Sequence, residues 1–182
     1  MTSASEEARG PLPASPNELH RRLASLGIAT TTRQHAPVFT VEEARRLRGE
    51  IPGAHCKNLF LIDKNGQAWL VVCLEDTSVD LKALPAAIGS GRLSFAKPEL
   101  LRRSLGVDPG SVTPFALINA PPDSLNVVLD ESMMREEILN YHPLHNAATT
   151  SISSSDLLKF IRACGHQPKI LALPSRPPPV AF

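Results

Sequence analysis

Two apolar runs, 57–62 and 68–74, flank the tetrapeptide Asp63-Lys64-Asn65-Gly66, and no other feature of the chain constrains its fold as much. Both runs are partly β-branched, and Asn-Gly readily adopts the left-handed backbone of a tight reversal. They predict a β-hairpin, so part of any sheet must be antiparallel. Around it, helical and strand patterns alternate irregularly. Leu19, Leu23 and Leu26 have helical spacing, with Asn17 as the expected N-cap after Pro16 and Gly27 as the stop. The β-branched stretch 28–34 reads as a strand, and Thr40 with Glu43 makes a capping-box pattern ahead of a short helix over 41–47. The run 81–88 has a helical pattern interrupted by Pro85, while 98–105 opens on Pro-Glu and stops at Gly106. Ser94 and Phe95, between them, are expected in a strand. Stretches 112–119 and 126–129 read as strands joined by the loop Ala120-Pro121-Pro122-Asp123, and 153–164 as a capped helix with Leu157, Leu158 and Ile161 inward. The fold class is therefore α/β, a single domain with a mixed, largely antiparallel sheet and packed helices.

A chain of 182 residues, 42% hydrophobic and 20% charged, has room for one core. Residues 1–16 hold Pro11, Pro13 and Pro16 and lack an apolar segment for export or membrane insertion; they read as a disordered leader of a cytoplasmic protein. The domain is expected over 17–172, with a Pro-rich, extended and unpacked tail over 173–182 that carries Pro177, Pro178 and Pro179 in a row. Cys56, Cys73 and Cys164 are odd in number and lack metal-ligand spacing, which points to reduced, mostly buried thiols. Nineteen basic against eighteen acidic residues argue against a long polyphosphate footprint but leave room for a small one. Gly89-Ser90-Gly91 matches neither the dinucleotide nor the P-loop pattern.

Three stretches set polar groups beside apolar strands: 53–60, 110–115 and 140–150. Ser111 lacks a nucleophile elbow, and no signature surrounds any thiol. Lys57 opens an otherwise apolar strand; it either snorkels from the strand end or meets a phosphate or a developing oxyanion. The segment Pro109-Gly110-Ser111-Val112-Thr113-Pro114 either turns the chain or presents backbone N–H groups to a substrate carbonyl. His142 and His145 lie near Asn146, Thr149 and Thr150 without a third metal ligand.

The strings HAPVFTVEEA (35–44), IPGAHCKNLFL (51–61), VDLKAL (79–84), GSGRLSFAKPELL (89–101), LGVDPGSVTPFALIN (105–119) and NYHPLHNAATTSIS (140–153) resemble the YbaK/ProX family of aminoacyl-tRNA deacylases. The match is closest to the branch that edits alanyl-tRNA(Pro), and it runs in order from about residue 19 to 170. The resemblance implies a fold like the editing insertion of bacterial prolyl-tRNA synthetases and a hydrolase that acts on mischarged tRNA(Pro) in trans. It implies Lys57 as the catalytic residue with Asn58 beside it, the loop Gly110, Ser111, Val112, Thr113 and Pro114 over the substrate, and His142 in the pocket. Asn146 belongs to the same string as His142, and Arg92 takes a tRNA-contacting position. Phe60, Phe95 and Phe115 are the apolar candidates for pocket walls. Tyr141 stands where related strings often have phenylalanine, and Pro114 where some alanine editors have alanine.

The implied reaction needs no cofactor, no metal and no enzyme nucleophile, because an aminoacyl ester yields to a positioned water and a stabilised oxyanion. The vicinal 2′-hydroxyl of the terminal adenosine is an implied helper, and Lys57 either anchors the 3′-terminal phosphate or stabilises developing charge. The implied partners are the acceptor 3′ end of tRNA(Pro) and prolyl-tRNA synthetase, with no membrane. Cys-tRNA(Pro) as substrate and a non-catalytic tRNA- or synthetase-binding homologue stand as alternatives.

Overall fold

A computed structural model describes residues 12–37 and 41–177. The expected hairpin forms, with β2 (Ala54–Asp63) antiparallel to β3 (Ala68–Leu74) in an unbroken register from Cys56↔Leu74 to Ile62↔Ala68. Asp63 shapes its turn by accepting from the backbone N–H groups of Asn65 at 2.8 Å and Gln67 at 3.0 Å, and Gly66 takes φ +81°. The remaining strands are β1 (Thr31–Gln34), β4 (Leu93–Phe95), β5 (Asn126–Asp130), β6 (Ile138–Tyr141), β7 (Ala148–Ser153) and β8 (Lys169–Leu171). They assemble in the order β1-β7-β6-β2-β3-β5-β8, with β4 beside β2. Pairings β2·β6, β3·β5 and β5·β8 are parallel and the other four antiparallel, so the sheet is mixed as expected.

Side chains alternate across the sheet and build two cores. Phe60, Leu70, Val72, Val127 and Leu129 pack on one face under α1 (Pro16–Ser25), α4 (Pro98–Leu105) and α6 (Ser154–Ala163). Phe115 anchors that core, edge-on to Phe160 at 5.7 Å and to Tyr141 at 5.9 Å. Leu61, Trp69, Val71, Cys73 and Val128 pack on the other face against Leu84 and Ile88 of α3 (Leu84–Ile88) and against Leu173. Helices α2 (Val41–Glu50) and α5 (Glu131–Met134) complete the set.

Several local expectations are corrected. Ser15, not Asn17, caps α1: its side chain accepts from Glu18 N while the Glu18 carboxylate accepts from Ser15 N, a capping box that leaves Pro16 in the first turn. Ser15→Ala should cost about 1 kcal/mol, read as a lowered Tm with the native circular dichroism spectrum retained. The stretch expected as a strand over 112–119 is a 3-10 helix, Pro114–Asn119. Proline suits a first turn, Thr113 Oγ1 accepts from Phe115 N, and Phe115, Ala116 and Leu117 are enclosed on every side, so their continuous apolarity reports burial and not extension. Strands β6, β7 and β8 differ from the expectation: polar Asn140, Thr149, Thr150 and Ser151 hide the pattern of β6 and β7, whose partners enclose both sides, and β8 is a three-residue, largely exposed edge strand too short to show a period.

The leader and tail are not wholly unpacked. Ala14 N donates to Asn119 Oδ1 at 2.7 Å, Asp80 N to Pro174 O and Arg176 N to Ser78 O at 2.8 Å each, and Arg176 pairs with Asp80. Residues 1–11, 38–40 and 178–182 lie outside the described residues, and with them the capping role expected of Thr40. All three cysteines are free; burial pushes Cys56 and Cys164 up to about 11 and Cys73 to about 12. Among the described residues no helix is long and apolar enough to cross a membrane.

Candidate active site

Strands β6 and β4 share one edge of β2 and leave a gap between them. Opposite β3, Ala54 and His55 pair with β6 and Leu61 to Asp63 pair with β4, so residues 56–59 have no strand partner on that edge. Ala96 N donates to Phe60 O at 3.0 Å across this edge, and Glu75 N to His55 O across the other. Backbone groups alternate between edges along a strand, so the N–H and C=O of Asn58 face the gap. The Asn58 side chain ties the neighbouring loop in place by donating to Val112 O at 2.9 Å, while its Oδ1 is buried without a partner. An orphaned acceptor costs roughly 1–3 kcal/mol.

Asn58 opens onto a cavity of about 140 Å³ lined by Leu47, Arg48, His55, Cys56, Asn58, Glu75, Asn140, Tyr141, His142 and Thr149. That is below the roughly 300–1,000 Å³ of sites that enclose drug-sized ligands, so only a small group fits. Arg48 of α2 and Glu75 after β3 close one rim with an ion pair at 3.1 Å. Asn140 builds the floor by donating to Pro52 O and Ala54 O and accepting from Ser151 Oγ, which pins β6 to the start of β2.

His142 lines this cavity, half-buried just after β6. Its Nδ1 lies 3.0 Å from Ala148 O. A carbonyl only accepts, so Nδ1 carries the ring proton and Nε2 keeps a lone pair. Burial holds its pKa below the ordinary 6.5, the Ala148 bond works against that shift, and His35 and His145 add to it. The imidazole is therefore uncharged at neutral pH, as a base must be. His35 is oriented in the same way, with Nδ1 2.8 Å from Ala36 O and Nε2 3.0 Å from Thr149 Oγ1, its ring centroid 6.4 Å from that of His142. His145 Nδ1 accepts from Ala147 N. Among the described residues no group of three His, Cys, Asp or Glu side chains is disposed to hold a metal.

The structure brings together Asn58, His142 and, through Val112, the loop Gly110–Pro114. Gly110 takes φ +88° and is exposed, Ser111, Thr113 and Pro114 are buried, and none of residues 110–114 lines the cavity, so the loop expected over the substrate reaches the site only through the Asn58 bond to Val112 O. Phe60 and Phe115 belong to the core behind the cavity and not to its lining. Phe95 departs further from the expectation: it is 61% exposed on β4 and does not line this cavity. Arg92 is exposed just before β4, its carbonyl accepting from Lys64 N. Asn146 is half-buried after His145, outside the lining. Lys57 pairs with Cys73 and so projects, with Leu59 and Leu61, to the face of the sheet opposite Asn58. It does not line the cavity, and the unpaired stretch of the β2 edge lies between the two. His55, Cys56, Asn140, Tyr141 and Thr149 also line the cavity and lie outside the expected set; the readable signal was that the second and last of the matching strings carry all five. The extra hydroxyl of Tyr141 is accommodated against Met133 Sδ at 3.3 Å.

A small cavity with an uncharged imidazole, an orphaned carboxamide oxygen and free backbone groups is equipped to position a compact polar ligand and a water. Residues 35–160 match the family model described as an aminoacyl-tRNA editing domain, a span that holds every residue lining this cavity, and the chain belongs to that family. Editing of aminoacyl-tRNA is the activity of the class. A Bos taurus protein, prolyl-tRNA synthetase associated domain-containing protein 1, is 40% identical over 158 residues, covering 84% of this chain and 92% of its own. The prolyl-tRNA editing protein ProX of Acetoanaerobium sticklandii is 37% identical over 153 residues, covering 84% and 93%. A solved structure, described provisionally as a trans-editing enzyme for prolyl tRNA synthetase, has the same fold, with TM-score 0.66 at 23% identity over 91% of this chain and 100% of that one.

Proposed function

We propose that the protein hydrolyses mischarged Ala-tRNA(Pro) in trans, as an aminoacyl-tRNA deacylase of the cytoplasmic translation machinery. The observation that carries this reading is the pairing, in one small cavity, of the uncharged His142 with the orphaned Asn58 Oδ1. The α-ammonium of an aminoacyl ester supplies the donor that Asn58 Oδ1 lacks. The ester carbonyl then lies at the β2 gap, where Asn58 N–H donates to the developing oxyanion. His142 Nε2 takes a proton from water as the water oxygen bonds to the carbonyl carbon. Collapse of the tetrahedral adduct expels the ribose oxygen, which takes that proton, and free alanine and tRNA(Pro) leave. Lys57, on the far side of the gap, anchors the 3′-terminal phosphate, and Arg92 contacts the tRNA further out. Prolyl-tRNA synthetase, the source of the mischarged substrate, is the protein partner this reading implies.

Specificity follows from size. A synthetic site that holds proline cannot sterically exclude alanine, and each missing methylene forfeits only about 1–3 kcal/mol. A second, smaller cavity reverses the preference. A deacylation panel of Ala-, Cys-, Ser- and Pro-tRNA(Pro), corrected for spontaneous hydrolysis, should show Ala fastest and Pro slower by roughly 10- to 200-fold. Faster turnover of Cys-tRNA(Pro) would reassign the substrate, and no turnover on any of the four would leave a tRNA-binding module.

A further inference from the structure

Phe95 is the exception on its face of the sheet. It pairs with Leu61, so it shares a face with Leu59, Leu61, Trp69, Val71 and Cys73. The last four are at most 3% exposed, whereas Phe95 is 61% exposed, and Leu93 two residues earlier does pack on that core. Exposed Lys64, Arg92 and Lys97 surround β4, and none of them takes part in an ion pair among the described residues. An aromatic face in a rim of unneutralised cations is the combination that holds single-stranded nucleic acid, since every base offers a π-face and every link a phosphate.

Phe95 also has a fixed relation to the active site. It lies beside Leu61, four residues along β2 from Lys57 and on the same face. At about 3.3 Å per residue the two are roughly 13 Å apart along the strand, and the unpaired stretch 56–59 lies at the Lys57 end of that span. We propose that Phe95 is the stacking platform for the 3′-terminal nucleobase of the tRNA, an inference that rests on the deacylase reading above. With the base on Phe95, the terminal ribose lies over the gap within reach of Lys57, and its aminoacyl ester passes the β2 edge at Asn58 into the cavity. The preceding phosphates meet Lys64, Arg92 and Lys97. The two faces of the sheet thus divide the substrate: nucleotide on one, amino acid on the other.

The test uses uncharged tRNA(Pro) carrying 2-aminopurine in place of its terminal adenine, so that binding is read without hydrolysis. Wild-type protein should change the 2-aminopurine emission. Phe95→Ala should abolish that change and raise Kd roughly 5- to 150-fold, the range for loss of one stacked base, with Tm unchanged because the side chain is exposed. Phe95→Trp should retain both signals, and Phe95→Leu should lose as much as the alanine variant. An unaltered Kd in Phe95→Ala, or wild-type binding by Phe95→Leu, would overturn the proposal. So would loss of protein self-association in Phe95→Ala with tRNA binding intact, which would make the patch a protein contact. Wild-type protein that deacylates but leaves the 2-aminopurine signal unmoved refutes the platform alone. A signal without turnover on any charged tRNA(Pro) refutes the deacylase reading instead.

Discussion

His142→Ala should slow single-turnover deacylation of Ala-tRNA(Pro) by about 10²- to 10⁴-fold, the range for removing a positioned general base. The loss should fall on the chemical step, with little change in the tRNA concentration needed for half-maximal rate. The substitution also leaves Ala148 O without its donor in a buried strand, at a stability cost of roughly 1–3 kcal/mol. Rates must therefore be compared well below the variant's Tm. A folded variant within a few-fold of wild type would remove His142 from the chemistry.

The same residue sets a pH dependence whose sign is determined. Because burial lowers the folded-state pKa of His142 below 6.5, its neutral form persists in the native protein to lower pH than in the unfolded chain. The rate constant, after subtraction of spontaneous hydrolysis, should stay level from neutral pH to about 6.5 and decline only below it. Stability follows the same direction. In the window between the two pKa values the unfolded chain binds the proton and the native one does not, so the contribution of His142, complete above the unfolded value, is lost as pH falls through the folded one. A rate that falls between pH 8 and 7 would contradict this assignment.

Lys57→Ala should lower kcat/KM by roughly 10- to 150-fold, the worth of a hydrogen bond between charged groups, with most of the loss in KM. The sheet register puts Lys57 on the face opposite Asn58, and under the proposed reading that is the side that takes the phosphate and not the oxyanion. Lys57→Arg should recover only part, because a planar fork does not replace a compact point charge. Tm should hardly change, since the side chain is only half-buried at the end of the second core. A kcat loss with unchanged KM would instead place the ammonium at the reacting carbonyl. Near-native kinetics would remove Lys57 from the site.

Local sequence carried the elements whose signals are short-ranged. The hairpin, the start of α4 at Pro98, the capped helix α6 and the strand at Ser94 and Phe95 all rest on residues within a few positions of one another, where turn chemistry and periodicity act. The family was legible too, because its strings keep their order. The strand over 112–119 failed for a physical reason: a continuous apolar run reports burial but not the backbone that buries it. Strands β6 and β7 were hidden because Asn140 and Thr150 spend their polar groups on side-chain hydrogen bonds that only the folded sheet supplies.

Of the candidate site, the sequence singled out Lys57, Asn58 and His142 and, with them, residues 110–114. Tertiary structure alone decided how they are shared out. Neighbours in a strand point to opposite faces, so Lys57 and Asn58, adjacent in the chain, serve different sides of the sheet. Whether those sides communicate depends on which strands dock along β2, and the space left between β6 and β4 is a property of long-range pairing that no local pattern encodes. The protonation state of His142 was likewise decided there, by its burial and by the Ala148 carbonyl beside it.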